Sequence, residues 1–250
     1  MFEIIFLGTS ASTPSIYRGL SAQMVLHRQY RFLIDCGEGT QRQILRSGLG
    51  FRQLHNILLT HSHLDHILGL GGLLSTLARW EAMEEINIFG GQATLDRVAD
   101  LIYHVVWRGA QPPVNINLVA LQPGMTLVED EKFRLSAFPV SHRGPDCYGF
   151  LFEERARRPF LVEKAEALGI PFGPERGRLV RGETVTLADG RTIRPEDVLG
   201  ETIPGVRYVH IADVGRTHNL LEVCRDADAL TIEATYLEED ATLARQFPSA

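Results

Sequence analysis

The run His61-Ser62-His63-Leu64-Asp65-His66 constrains this chain more than any other feature. It sets three imidazoles and a carboxylate directly after the apolar stretch Ile57-Leu58-Leu59-Thr60. A lone histidine is usually a hydrogen-bonded core or surface residue. Donors this dense at the end of a strand are the ligand set of a transition metal. Two neutral imidazoles two residues apart face one ion from a tight loop, and Asp65 and His66 then point to a second position nearby. Zinc accepts nitrogen and carboxylate oxygen at about 2.0–2.2 Å, and the run holds too many donors for one open tetrahedral ion. The expectation is a pair of metals, with the strand over 55–60 delivering the chain to them.

Further ligands should come from other strand ends. His142 follows a predicted strand over 133–140, and Asp213 follows one over 206–212. Each is a ligand-type side chain just past an apolar run, where layered α/β proteins place their sites. His27, His55, His104, His210 and His218 lack that context and read as structural. A paired-metal site lowers the pKa of water to about 7. The resulting nucleophile could attack phosphorus or a carbonyl carbon, so phosphodiester, thioester and lactam substrates all remain open. Asp65 could orient the water or take its proton as well as bind metal.

Around this site the first 150 residues read as short strands alternating with helices. Strands are predicted over 2–7, 22–26, 31–35, 55–60, 86–89, 125–128, 133–140 and 147–152, and helices over 40–49, 67–80 and 93–107. Residues 206–212 and 229–232 add strands, with a helix over 220–225. Strands interleaved with helices indicate an α/β layered domain. Residues 154–205 differ. They are dense in Gly and in charge, including Arg155, Arg157, Arg158, Lys164, Arg176, Arg178, Arg181, Arg191 and Arg194. Asp189-Gly190 between two β-prone pairs marks a hairpin. This stretch reads as an arm inserted into the domain; a long surface loop with a hairpin is the plainer alternative.

Composition narrows the partners. With 25 basic against 31 acidic residues the net charge is −6, unlike a protein that binds nucleic acid over its whole surface. A local basic patch or bound metal could still supply a positive field. Cys36, Cys147 and Cys224 form no C-x-x-C pair, which disfavours a disulfide framework or cysteine zinc finger and fits a reduced cytoplasm. No apolar run reaches the ~20 residues of a membrane helix. Glu3, with no basic stretch ahead of the first apolar run, argues against a secretory signal.

The motifs together resemble ribonuclease Z, the tRNA 3′-processing endoribonuclease of the metallo-β-lactamase superfamily. The histidine run is the superfamily's signature. More specific are Phe6-Leu7-Gly8-Thr9-Ser10 with Pro14 and Arg18, and Leu33-Ile34-Asp35-Cys36-Gly37-Glu38-Gly39-Thr40-Gln41. So are Gly69-Leu70-Gly71-Gly72-Leu73-Leu74, Val140-Ser141-His142-Arg143 with Tyr148-Gly149-Phe150, Ile211-Ala212-Asp213, and Glu233-Ala234-Thr235-Tyr236. Leu168-Gly169-Ile170-Pro171 with Gly173-Pro174, Gly177 and Leu179 resembles the family's tRNA-gripping arm.

The resemblance implies an αββα sandwich with an inserted flexible arm at about 154–205. It implies that His61, His63 and His142 hold one zinc, that Asp65 and His66 hold the other, that Asp213 bridges both, and that Asp65 accepts the proton. Precursor tRNA would be cut to leave a 3′-hydroxyl on the tRNA and a 5′-phosphate on the trailer. A cytoplasmic homodimer, with one subunit's arm holding the tRNA that its partner cuts, goes with it. Two departures stand out. Ala212-Asp213-Val214 replaces the family's Gly-Asp-Thr, and the sequence ends at Phe247-Pro248-Ser249-Ala250 with no histidine after His218. The family's later histidines are thus missing, an expected C-terminal truncation that would leave the second zinc short of a ligand. Two other functions are therefore carried forward: a weak or inert tRNA-binding homologue, and a same-fold hydrolase of small phosphodiesters or thioesters.

Overall fold

The computed structural model describes residues 1–80 and 83–242; the Phe247–Ala250 segment lies outside the described residues. Two sheets stack face to face. The first runs in the order β1 (Glu3–Gly8), β2 (Ala22–His27), β3 (Tyr30–Ile34), β4 (Asn56–Leu58), β5 (Glu85–Gly90), β6 (Asn115–Ala120). Strands β1 to β3 pair antiparallel, whereas β3 to β6 pair parallel. Parallel neighbours need crossovers. These are α1 (Thr40–Arg46), then α2 (Leu64–Ile67) with α3 (Leu70–Arg79), then α4 (Gln92–Ala99) running into a π-helical stretch, Asp100–Val106.

The second sheet contains β7 (Thr126–Glu129), β8 (Phe133–Pro139) and β9 (Tyr148–Glu154). It also contains β12 (Arg207–His210) and β13 (Ala229–Thr231), in the order β13-β12-β9-β8-β7. Side chains alternate between two cores, as the period of two requires. Val25, Phe32, Ile34, Leu58 and Phe89 point inward and meet Phe133, Leu135, Phe150, Phe152 and Tyr208 of the facing sheet. Their neighbours Met24, Leu33, Ile57, Ile86 and Ile88 point outward beneath Ile44, Leu73, Leu77, Leu95 and Val98 of the helices. Burial on both faces explains why these strands read as unbroken apolar runs. Behind the second sheet, Val209 and Ile211 pack with Leu220 and with Val223 of α8 (Leu221–Cys224). The result is the αββα sandwich.

The inserted residues build a separate cluster. It comprises α5 (Val162–Ala167), α6 (Pro174–Val180), the ribbon β10 (Val185–Thr186) with β11 (Thr192–Ile193), and α7 (Pro195–Val198). They enclose Ala165, Ile170, Leu179, Val185, Ile193 and Val198. The base is closed by mutual backbone bonds between Arg157 and Ile203, at 3.0 and 2.8 Å, and by Gly200 N–H donating to Pro159.

Within the sandwich, three elements differ from the sequence expectation. The helix expected over 67–80 is two helices, because the chain must cross the 35–37 loop at Gly69. There Gly69 N–H donates to Cys36 O at 2.8 Å, and a Cβ would lie 2.1 Å from Gly37 O. The helix over 93–107 changes to π geometry from Asp100. Strand β6 was not anticipated. It carries two asparagines, which are poor strand formers, but Asn117 donates to Asn87 and Glu85 side chains, and Asn87 to Asn56, in a ladder across three strands.

Candidate metal centre

One end of the sandwich collects the ligand-type residues from both sheets. Strand β4 leads into His61 and His63, and Asp65 and His66 lie in the short helix α2. His142 follows β8, and Asp213 follows β12. The converging loops are tied together. Tyr148 N–H donates to Thr60 O at 2.8 Å, Gly215 N–H to Ser141 O at 2.7 Å, and the Arg97 guanidinium to Ser62 O at 3.0 Å.

The side chains fall into two groups sharing one carboxylate. His61, His63, His142 and Asp213 each offer a ligand atom, all within 4.8 Å of one another. His142 Nε2 is 3.3 Å from His63 Nδ1, and Asp213 Oδ2 lies 3.7 Å from His142 Nε2 and 3.8 Å from His61 Nε2. Donors bound at about 2.0–2.1 Å to one tetrahedral ion sit about 3.3–3.4 Å apart, so this spacing suits a metal. On the other side, His66 Nε2 is 3.4 Å from Asp213 Oδ1 and 3.6 Å from Asp65 Oδ2. The two oxygens of Asp213 thus face different groups, the arrangement of a bridging carboxylate.

Hydrogen bonds behind the donors fix which nitrogen is bare. The Thr60 hydroxyl lies within reach of both Asp35 oxygens, at 3.1 and 2.9 Å, and 3.0 Å from His61 Nδ1. Its single proton belongs on the carboxylate, so it accepts from His61 Nδ1–H, and His61 Nε2 faces the site as a lone pair. That atom is buried with no hydrogen-bond partner among the described residues. An orphaned buried acceptor is costly, and a cation resolves it. Asp35 does the same service for His66, taking its Nδ1–H at 2.7 Å. Thr60 N–H and, at 3.4 Å, the Ser21 hydroxyl complete the shell around this fully buried carboxylate. Carboxylate–histidine pairs of this kind orient metal ligands and raise their basicity. Asp65 is held from outside by Ser12 N–H at 2.9 Å.

The electrostatics differ between the two groups. Burial, with its histidine neighbours, pushes His61 down to about 2, so its imidazole is neutral and available. Burial also lowers His142. It opposes the charged form of His66 too, but Asp35 and Asp213 outweigh it and hold this group at about 10. A metal at the second position would take this proton's place beside the same carboxylates. Burial raises Asp213, yet His66 outweighs it and keeps the carboxyl below its usual range.

A cleft of about 450 Å³ opens beside His66 and Asp213, bordered by Phe6, Arg18, His210 and Glu233. Glu233 accepts from Val214 N–H next to Asp213 and from the Thr235 hydroxyl at 2.7 Å. All six residues expected at the site from sequence converge here. Asp35, Thr60 and Ser12 were not assigned a role from sequence. Asp35 carried a usable signal, since it too is an acidic residue immediately after an apolar strand; Thr60 and Ser12 act through atoms that no spacing reveals.

Comparisons with known proteins agree with the geometry. A family model described as Anti-Pycsar protein Apyc1 matches residues 2–156. Ribonuclease Z of Bradyrhizobium diazoefficiens is 47% identical over 247 residues, covering 99% of this chain and 81% of that protein. Ribonuclease Z of Haloferax volcanii is 37% identical over 241 residues, covering 96% and 75%. Among solved structures, human tRNase Z, short form, superposes with a TM-score of 0.66 at 22% identity, covering 100% of this chain and 84% of that one. The metallo-β-lactamase fold protein YhfI from Bacillus subtilis superposes at 0.62 with 17% identity, covering 95% and 74%. These two likenesses establish the metallo-β-lactamase fold. The chain belongs to the family that the Apyc1 model describes over residues 2–156 and, over almost its whole length, to the ribonuclease Z family.

Proposed function

We propose that this chain is a zinc-dependent endoribonuclease that removes the 3′ trailer from precursor tRNA. The observation that carries the reading is the shared Asp213 between two donor groups, in a chain 47% identical to a ribonuclease Z. Zinc held there supplies a Lewis acid for a phosphoryl oxygen and a water acidic enough to attack at neutral pH. The chain's own residues prepare the step. His61, His63 and His142 present ring nitrogens on one side, and Asp65 and His66 flank the other. Asp65, fixed through Oδ2 by Ser12 N–H, takes the proton of the attacking water. In-line displacement then leaves a 3′-hydroxyl on the tRNA and a 5′-phosphate on the trailer. The inserted arm at about 154–205 serves as the tRNA-binding element, and a cytoplasmic homodimer lets one subunit's arm present tRNA to its partner's site.

Zinc-loaded protein should cut a precursor transcript immediately 3′ of the discriminator base, with those end groups, and should carry close to two zinc ions per chain. A second reading has its own support. Among the described residues, the donors that all lie within 4.8 Å of one another are His61, His63, His142 and Asp213, while Asp65 and His66 join the second position through Asp213. An inert tRNA-binding homologue would retain one zinc or none, bind the precursor and leave it intact.

A further inference from the structure

The loop between β1 and β2 carries two large apolar side chains that stand exposed among the described residues. Ile16 is 90% exposed and Tyr17 88% exposed. Single exposed apolar residues need no explanation. This adjacent pair is different, because the backbone beneath it is braced. Ser10 N–H donates to Gly19 O at 2.9 Å, and the Ser10 hydroxyl to Thr13 O at 2.7 Å. Ser15 N–H donates to Arg18 O at 2.9 Å, while the Ser15 hydroxyl accepts from Tyr17 and Arg18 N–H at 3.2 and 3.0 Å. The hydrogen bonds hold a tight turn with Ile16 and Tyr17 at its tip.

The same loop is anchored to the metal centre. Ser12 N–H holds Asp65, and Arg18 lines the cleft with His66 and Asp213. Tyr17 is five positions along from Ser12, a reach of at most about 17 Å. Arg18 lines the cleft and Tyr17 directly precedes it in the chain, so an exposed aromatic ring on a braced backbone stands beside the cleft, next to a cation suited to a phosphate. Rings presented in this way recognise unpaired nucleobases by stacking, and a flanking guanidinium holds the backbone.

We propose that Tyr17, supported by Ile16, is a positioning residue that stacks on a nucleobase at or one removed from the scissile phosphate. Arg18 contacts the adjoining phosphate. The inference rests on the endoribonuclease reading. It deepens that reading by assigning the single-stranded region around the cut, rather than the folded tRNA body, to this loop.

The test uses the full zinc-loaded chain and a precursor transcript, with Tyr17→Ala, Tyr17→Phe and Ile16→Ser variants. Tyr17→Ala should raise KM about 5- to 150-fold, the range of one lost base–aromatic stack, with kcat within about twofold. Tyr17→Phe should retain the wild-type KM, because the ring and not the hydroxyl does the stacking. A scan of abasic sites around the cut should find one whose removal weakens wild-type binding by the same factor and costs Tyr17→Ala nothing further. Fluorescence of 2-aminopurine at that site should be quenched by wild type and by Tyr17→Phe, and not by Tyr17→Ala. An unchanged KM in Tyr17→Ala, a Phe variant as impaired as Ala, or additive losses from the abasic site would each overturn the proposal. So would loss of dimer by light scattering in Tyr17→Ala, which would make the tip a subunit contact. Wild-type protein that neither binds nor cuts the precursor sinks the endoribonuclease reading itself. Normal wild-type cleavage with indifferent Tyr17 variants sinks only the platform.

Discussion

Asp35 shows how much of this site is made by groups that never reach a metal. Its carboxylate takes Nδ1–H of His66 at 2.7 Å and the N–H and hydroxyl of Thr60. Its backbone sits in the left-handed region, at φ 55, which asparagine tolerates well. Asp35→Asn therefore tests charge and hydrogen bonding with little added backbone strain. The amide must turn a donor toward either Thr60 or His66, both already donors. We expect zinc affinity at the second position to fall about 10- to 100-fold, with the first zinc retained, as read by zinc content after dialysis against graded chelator. Two zincs held as tightly as in wild type would refute the assignment. A second buried group, His27, lies between the rings of Phe2 and Phe133 at 4.6 and 4.8 Å. Burial lowers its pKa below the ordinary 6.5, although Glu154 pulls the other way. The unfolded chain then takes up a proton below pH 6.5 that the folded chain refuses. The stability present above pH 6.5 is lost as pH falls through that value, at up to about 1.4 kcal/mol per pH unit. His27→Phe should flatten this slope in urea unfolding at graded pH; parallel curves for variant and wild type would exclude it. His61 to His66 were legible because they are contiguous, and His142 and Asp213 because they end strands. His27 gave no sign, since only the fold shows that it is buried without a hydrogen-bond partner among the described residues.

At the level of elements, the junction of α2 and α3 couples stability to the metal centre. A methyl group on Gly69 would lie 2.1 Å from Gly37 O and 2.8 Å from Cys36 O, both backbone atoms. That backbone belongs to the loop beginning at Asp35, so it cannot yield without moving the carboxylate that orients His66. Gly69→Ala should cost at least about 1–3 kcal/mol of stability and should lower zinc retention at the second position. Gly71, two residues on in α3, is the control. Its Cβ would meet Val106 Cγ2 at 3.4 Å, an ordinary contact. Gly71→Ala should therefore be neutral or stabilise by up to about 1 kcal/mol through helix propensity. Chemical denaturation of both variants checks the pair, and equal losses would contradict it. Apolar periodicity across 67–80 gave a single helix because Gly69 is unfavourable rather than forbidden in helices; its real constraint is the backbone of Cys36 and Gly37, far upstream in sequence. Strand β6 escaped notice for a related reason. Its support is the asparagine ladder from Asn56 through Asn87 to Asn117, which exists only once the parallel register is set.

For the whole molecule, the question is how an acidic chain holds a polyanion. Charge was legible in the sequence, but the internal pairing of the arginines over 154–205 was not. Arg178 and Arg181 both bind Glu183, Arg191 binds Asp189, and Arg176 donates to Ile170 O while lying over Phe160 and Phe172. Much of the arm's positive charge therefore maintains the arm. The link between α5 and α6 still carries Phe172, 94% exposed, and the arm's apolar cluster is its own. This organisation makes the arm separable. Pro159 O and Gly200 N–H meet at 2.8 Å, so residues 160–199 can be replaced by a two- or three-residue Gly-Ser link without stretching the base. The shortened protein should fold, retain its zinc and still hydrolyse a small activated phosphodiester, because the sandwich and metal centre lose no packing. Its affinity for precursor tRNA should fall at least about tenfold. The slope of log affinity against log salt should also shrink, by about 0.7–0.9 for each phosphate contact the arm supplied. Filter binding across a salt series measures both. Unchanged affinity and slope would move the tRNA contacts onto the sandwich itself. Reduced affinity with an unchanged slope would instead make the arm's contribution one of stacking, for which Phe172 is the exposed ring at hand.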